Sequence, residues 1–145
     1  MPVTPQVVRQ VIETYVRAWA SGDRDLVLSV FAADCLWNDP VGTPPFKGHA
    51  GVGHFWDFAH QDGTRHLTPR VQRVIACANE GILHFVMEVR VPHLNQGLDL
   101  TVIERFVLNE QGKIQLAQAY WDEGCAAVPQ GMQLFAPDIS EAYQK

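Results

Sequence analysis

The chain reads as an α+β fold in which helices come first and a curved, mainly antiparallel sheet follows. Three observations predict this. Apolar residues recur at helical spacing from Pro5 to Phe31 and again from Ala50 to about His60, they alternate with period two from Arg70 onward, and the links between strand-like runs are of hairpin length. Helices laid over the concave face of such a sheet would enclose a pocket.

The elements follow in order. Thr4-Pro5 opens a helix well, with a cap residue and then proline at the first helical position. At about 100° per residue, Val8, Val11, Ile12, Tyr15 and Trp19 fall on one face, while Arg9, Gln10, Glu13 and Arg17 fall opposite. Gly22 ends this helix, and Asp23 caps a second, short one carrying Leu26, Val27, Val30 and Phe31. Cys35 to Asp39 reads as a short strand. Pro40, Gly42, Pro44 and Pro45 then break regular structure, and a third helix is expected from Ala50 to about His60. Leu83, Phe85, Met87, Val89 and Val91 make one apolar row, with Glu88 and Arg90 on the other face. A strand from Leu98 to Leu108 follows, then a turn at Asn109-Glu110-Gln111-Gly112, then a strand from Lys113 to about Asp122. One domain over residues 1–145 is expected, with residues 124–145 a less regular extension packed on the body or on a partner chain.

Composition narrows the function classes. The 145 residues are 47% hydrophobic and 19% charged, ordinary for a globular chain with a sizeable core. A formal net charge of −5 without any Lys/Arg cluster argues against nucleic acid or an anionic membrane as partner. No apolar run approaches the roughly 20 residues that span a bilayer, and the first residues do not read as a signal peptide. Cys35, Cys77 and Cys125 are widely spaced and form no pair motif, which points to a reduced, cytoplasmic setting.

One residue is out of place. Leu98, Leu100, Val102, Glu104, Phe106 and Leu108 share one side of their strand, so Glu104 points where an apolar side chain belongs. A buried carboxyl has a partner or is held protonated, and a protonated acid in an apolar site can donate to a substrate. An internal salt bridge to an arginine, or a bulge turning Glu104 outward, are the alternatives. Tyr15, at the centre of the apolar helix face, reads either as a packing tyrosine or as a phenol donor in a pocket. Asp39 reads either as the turn former of Asp39-Pro40 or as a general base beside Trp37 and Val41. His49, His54 and His60 sit about 140° and about 120° apart on a helix and cannot share one metal. Gly48 to Gly53 follows no strand of a βαβ unit and is no phosphate cradle.

Tyr15 ahead of Gly22-Asp23, Phe31-Ala32-Ala33-Asp34 and the run Asn38 to Gly48 resemble the N-terminal half of bacterial ketosteroid isomerase. Val102-Ile103-Glu104, Asn109 to Ile114 and Gln118-Ala119-Tyr120-Trp121 resemble its C-terminal half. The resemblance spans about residues 7 to 123, is weak from about 60 to 82, and places the chain in the nuclear-transport-factor-like, polyketide-cyclase-like superfamily. It implies a cone-shaped half barrel of cystatin-like type, a homodimer, and no metal or cofactor. It further implies a hydrophobic, steroid-like ketone as substrate, whose double bond migrates through a dienolate. Asp39 would move the proton, and Tyr15 with a protonated Glu104 would hold the oxygen. Trp56, Phe31, Trp121, Phe85, Met87 and Trp37 would contact the substrate. Three positions depart from the family pattern: glutamate for aspartate at Glu104, and Phe31 and Trp56 where tyrosines often support the catalytic one. Two rival readings stand beside this one. A cyclase or dehydratase on the same fold would pair His84 or His66 with Asp39, and a non-catalytic binding or dimerisation module would keep only the cavity.

Overall fold

The computed structural model describes residues 2–143; Met1, Gln144 and Lys145, the ends of the expected domain and of its extension, lie outside the described residues. Helix α1 spans Pro5–Ser21. The Thr4 hydroxyl accepts from the Val7 N–H at 3.3 Å, and Gly22 closes the helix at φ 68°, a left-handed conformation that glycine adopts without penalty. Helix α2, Arg24–Val30, starts where the Asp23 carboxylate accepts from the Leu26 N–H at 3.0 Å.

Strand β1, Phe31–Asn38, follows α2 without a loop and so begins four residues before the expected Cys35. The two-residue strand β2, Phe46–Lys47, went unforeseen because so short an edge has no period to read. Helix α3 covers Gly48–Ala59. Three long strands and a shorter one complete the frame: β3 His66–Cys77, β4 Glu80–Val91, β5 Gln96–Leu108 and β6 Ile114–Tyr120. The sheet runs β2-β1-β6-β5-β4-β3 and does not close. It is mixed: β1 lies parallel to β6, while its other neighbouring pairs along this path are antiparallel.

Three helices pack on the inner face of this sheet. Val8, Ile12, Tyr15, Ala18 and Trp19 of α1 are buried against it. Gly81 makes the approach close: a Cβ there would stand 2.6 Å from Ile12 Cδ1 and 2.7 Å from Val8 Cγ1. Beyond Tyr120 the chain turns back over β5. Strand β6 pairs with β5 only from Ile103 onward, which leaves the first half of β5 with an open edge. Two short strands of the extension cover it, β7 (Ala126–Ala127) beside Asp99 and Leu100, and β8 (Gln133–Leu134) beside Gln96 and Gly97. The extension therefore packs on the body of its own chain.

Candidate active site

Alternation on β5 sets the centre of the site. Val102, Glu104, Phe106 and Leu108 are buried in one row, and Glu104 is 1% exposed. Among the described residues no arginine ion pair or hydrogen bond to it is found. The Tyr15 hydroxyl of α1 donates to Glu104 at 3.0 Å (Oε1) and 3.3 Å (Oε2), and the Trp37 indole N–H of β1 donates to Oε2 at 3.1 Å. Arg105, the next residue, faces the other side and pairs with Glu80 at 2.9 Å. Burial first, and then the nearby charge of Asp39, push the Glu104 carboxyl well above the usual carboxylate range, against the smaller opposing effect of its two donors. Tyr15 is raised as well, first by burial and then by Glu104 and Asp39.

Asp39 stands just past the end of β1, where its peptide to Pro40 is cis. The Trp121 indole N–H, just past β6, donates to Asp39 Oδ1 at 2.7 Å, and the Val41 N–H ties the following turn to Ala119 O at 2.9 Å. The Tyr143 hydroxyl, at the end of the extension, donates to the Asp39 carbonyl. Burial raises the Asp39 carboxyl from 3.8 to about 6, partly offset by the Trp121 bond.

Asp39, Tyr15 and Glu104 open onto one cavity of about 530 Å³, a size that suits a small organic ligand. Its walls are apolar. Phe85 and Met87 come from β4, Leu98, Leu100 and Val102 from β5, and Trp19, Phe55 and Leu67 from the helices and β3. Asp122 and Glu123 are at its edge, and no basic side chain lines it among the described residues. An uncharged ligand fits this lining better than an anion does.

Three expected wall residues stand behind the wall. Trp37 is fully buried, its polar edge committed to Glu104. Phe31 packs edge-on against Tyr15 with ring centres 6.2 Å apart, and Trp56 stacks on His60 at 4.1 Å. Their inward direction was legible, but depth within the layer was not. Phe85, Met87 and Trp121 do line the cavity. The histidines serve the frame. His49 bonds Phe31 O, His54 bonds Ala142 O and His60 bonds Trp56 O, at 2.8 to 2.9 Å. His84 alternates with buried Leu83 and Phe85 and so faces the outer side, and His66 is exposed at the start of β3. Neither lines the cavity with Asp39, so the His–Asp pair of the rival cyclase reading does not form.

Among the contributors that sequence reasoning missed, two stand out. Trp19 was read only as part of the α1 core face, yet it lines the cavity. Leu134, Phe135, Ala136, Pro137 and Ile139 of the extension form a whole wall. The apolar run from Leu134 to Pro137 was the one available signal, and no period marked it.

The geometry finds its relatives. Residues 12–117 match the family model of the SnoaL-like domain. The chain belongs to the SnoaL-like family. Solved structures similar to this SnoaL-like chain include the Mycobacterium tuberculosis protein RV0760c, at 18% identity over 88% of this chain and 99% of that one, with a TM-score of 0.76. The epoxide hydrolase/cyclase-like enzyme SalBIII, with a role in pyran ring formation in the polyether salinomycin, matches at 19% identity over 86% of this chain and 97% of its own, TM-score 0.75. An LEH-like epoxide hydrolase of M. tuberculosis matches at 17% identity over 83% and 86%, TM-score 0.70. At these identities the likeness is one of fold. It extends the SnoaL-like assignment beyond the isomerase resemblance to a fold shared with ring-forming and epoxide-opening enzymes.

Proposed function

We propose that this protein is an acid–base enzyme that rearranges an apolar, uncharged, oxygen-bearing molecule without adding or removing atoms. The observation that carries the reading is the pair of carboxyls on one cavity. Asp39, at about 6, is largely ionised at neutral pH and can accept a proton. Glu104, held well above the ordinary range, keeps its proton and can donate it. A base and an acid of unlike protonation state then coexist on one apolar-walled cavity, where a ligand that displaces water lets each act more strongly than in water.

The first reaction assigned to this pair is double-bond migration beside a ketone. Asp39 removes a proton from the carbon next to the carbonyl. Charge moves onto the oxygen, which Glu104 and Tyr15 stabilise, and Asp39 returns the proton further along the chain of carbons. A steroid-like ketone suits the apolar wall, and a homodimer is the expected assembly.

One observation favours a second reaction. Tyr15 and Trp37 both donate to Glu104, so the Glu104 proton is the acid proton left for the ligand. That arrangement suits ring closure, as does the kinship of fold with SalBIII. A substrate hydroxyl would lose its proton to Asp39, its oxygen would attack one carbon of an epoxide, and the epoxide C–O bond would break as its oxygen takes the Glu104 proton.

The deciding experiment offers the protein a β,γ-unsaturated steroid ketone and a hydroxy-epoxide, following conjugated enone absorbance and cyclic ether by mass-neutral chromatography. Turnover of either that is lost in Asp39→Asn, with the fold intact by circular dichroism, supports the reading. Turnover undiminished in Asp39→Asn removes Asp39 as the base.

A further inference from the structure

Trp19 lies one helical turn after Tyr15 on α1, so the two side chains meet on the same face. Their rings meet edge to face, with centres 6.4 Å apart and planes at 66°. Both line the cavity, and Trp19 is 4% exposed. Its indole Nε1 is buried and has no hydrogen-bond partner among the described residues. Buried donors are nearly always satisfied, so this one needs an explanation. The Tyr15 hydroxyl, on the same helix face one turn away and on the same cavity, supplies one: it is a polar group the unpartnered N–H can serve once the Tyr15 proton is committed elsewhere. The indole is also held firmly. Trp56 lies against it with ring centres 4.5 Å apart, and His60 stacks on it at 5.4 Å and 15°. Trp56, at a position where the resembling family often has a supporting tyrosine, thus supports Trp19 and not Tyr15 itself.

We infer that Trp19 is a positioning residue: its indole N–H donates to the Tyr15 oxygen when Tyr15 turns its own proton to a ligand oxygen. The chemistry requires the two events together. In the free protein the Tyr15 proton goes to Glu104, and the oxygen bears little extra charge. When the hydroxyl donates to an oxygen gaining negative charge, electron density rises on the Tyr15 oxygen. A donor that reaches its lone pairs then strengthens the Tyr15 bond, as hydrogen bonds in a chain polarise one another. The free N–H is thereby a donor kept in reserve for the ligand-bound state. This inference rests on the reading of Tyr15 as a donor to substrate oxygen.

The test uses 2-naphthol, an aromatic alcohol whose fluorescence reports ionisation, and naphthalene, which has the same body without oxygen. Affinity for both is measured in the native protein, Tyr15→Phe, Trp19→Phe and the double variant, with no turnover required. Tyr15→Phe is expected to weaken 2-naphthol by about tenfold and Trp19→Phe by about fivefold. Because Trp19 acts through Tyr15, the double variant should bind within about twofold of Tyr15→Phe. Naphthalene affinity should stay within about twofold throughout. Equal weakening of both probes in Trp19→Phe, or additive losses in the double variant, overturns the inference. A Tyr15→Phe protein that binds 2-naphthol normally overturns the donor reading of Tyr15 instead, so the two failures are distinguishable. Should Trp19→Phe not fold, the indole proton resonance of Trp19 is read directly by NMR. It should move downfield when 2-naphthol binds the native protein and stay fixed in Tyr15→Phe. A resonance unmoved in both overturns the inference.

Discussion

Glu104 is where one side chain decides most. Its carboxyl reaches Tyr15 and Trp37 together. Exchanging it for glutamine keeps a neutral donor of the same length, whereas alanine leaves Trp37 and Tyr15 with buried, unpaired groups. Glu104→Gln should therefore retain more turnover than Glu104→Ala, and Glu104→Ala should lose about 2–4 kcal/mol of stability by denaturant titration. Infrared absorption of the native protein at pH 7 should show the carbonyl stretch of a protonated acid that disappears in Glu104→Gln. An ionised Glu104 would remove the acid from the mechanism. The pH profile belongs to the same pair. Activity should rise as Asp39 ionises through about 6 and fall again where Glu104 loses its proton, giving a bell. A profile flat from pH 4 to 9 would contradict these roles.

Among the elements, the extension bears most directly on the cavity. The Gln133 N–H donates to Asn95 O at 3.0 Å and the Phe135 N–H to Gly97 O at 2.9 Å, which holds the wall of Leu134 to Ile139 in place. Gly97 permits the approach, since a Cβ there would stand 2.9 Å from Met132 Sδ and 3.0 Å from Pro129 Cγ. Gly97→Val should lift this strap from β5. Amide exchange at Phe135 should accelerate about tenfold or more while Phe106 stays protected, because two short ladders open independently of the central sheet. Equal acceleration at both sites would mean that the strap and sheet open as one unit. The extension is also where sequence reading was least informative. Its strands are two residues long, and pairing so brief leaves no alternation to detect. The long elements were legible for the opposite reason. Thr4, Gly22 and Asp23 mark helix ends by chemistry local to those residues, and β4 and β5 carry enough alternations to set their faces.

At the scale of the whole molecule, the two raised carboxyls tie stability to pH. Each binds its proton more tightly folded than unfolded, so the stability they contribute is fullest below the unfolded value near 4 and declines as pH rises. For Asp39 the decline runs from about 4 to about 6; for Glu104 it continues to higher pH. Asp39→Asn should thus be more stable than the native protein at pH 8, by roughly 1–2 kcal/mol, the full shift being tempered because Asp39 faces a cavity open to water. No gain, measured by thermal melting at pH 5 and pH 8, would mean that Asp39 is ionised without cost. The outer face of the sheet exposes Leu36, Ile75, Ile103 and Tyr120, and the proposed homodimer would cover it. Sedimentation should then find a dimer that Ile103→Asp converts to monomer with unchanged secondary structure. A monomeric native protein would end that proposal.

The amino-acid order alone determined the helix-then-sheet architecture, the inward direction of Tyr15 and Glu104, and the place of Asp39 at a strand end. Each of these follows from periodicity or from cap and turn chemistry, which act over a few residues. Only the tertiary structure decided that Glu104 takes its donors from Tyr15 and Trp37, 89 and 67 positions away, and not from an arginine. It likewise decided that Trp37, Phe31 and Trp56 stand behind the cavity, that Trp19 comes to its surface, and that the extension closes one side. Depth and partnership depend on how α1, β1 and β5 converge in space, and a period of 2 or 3.6 specifies a direction without specifying what is met there.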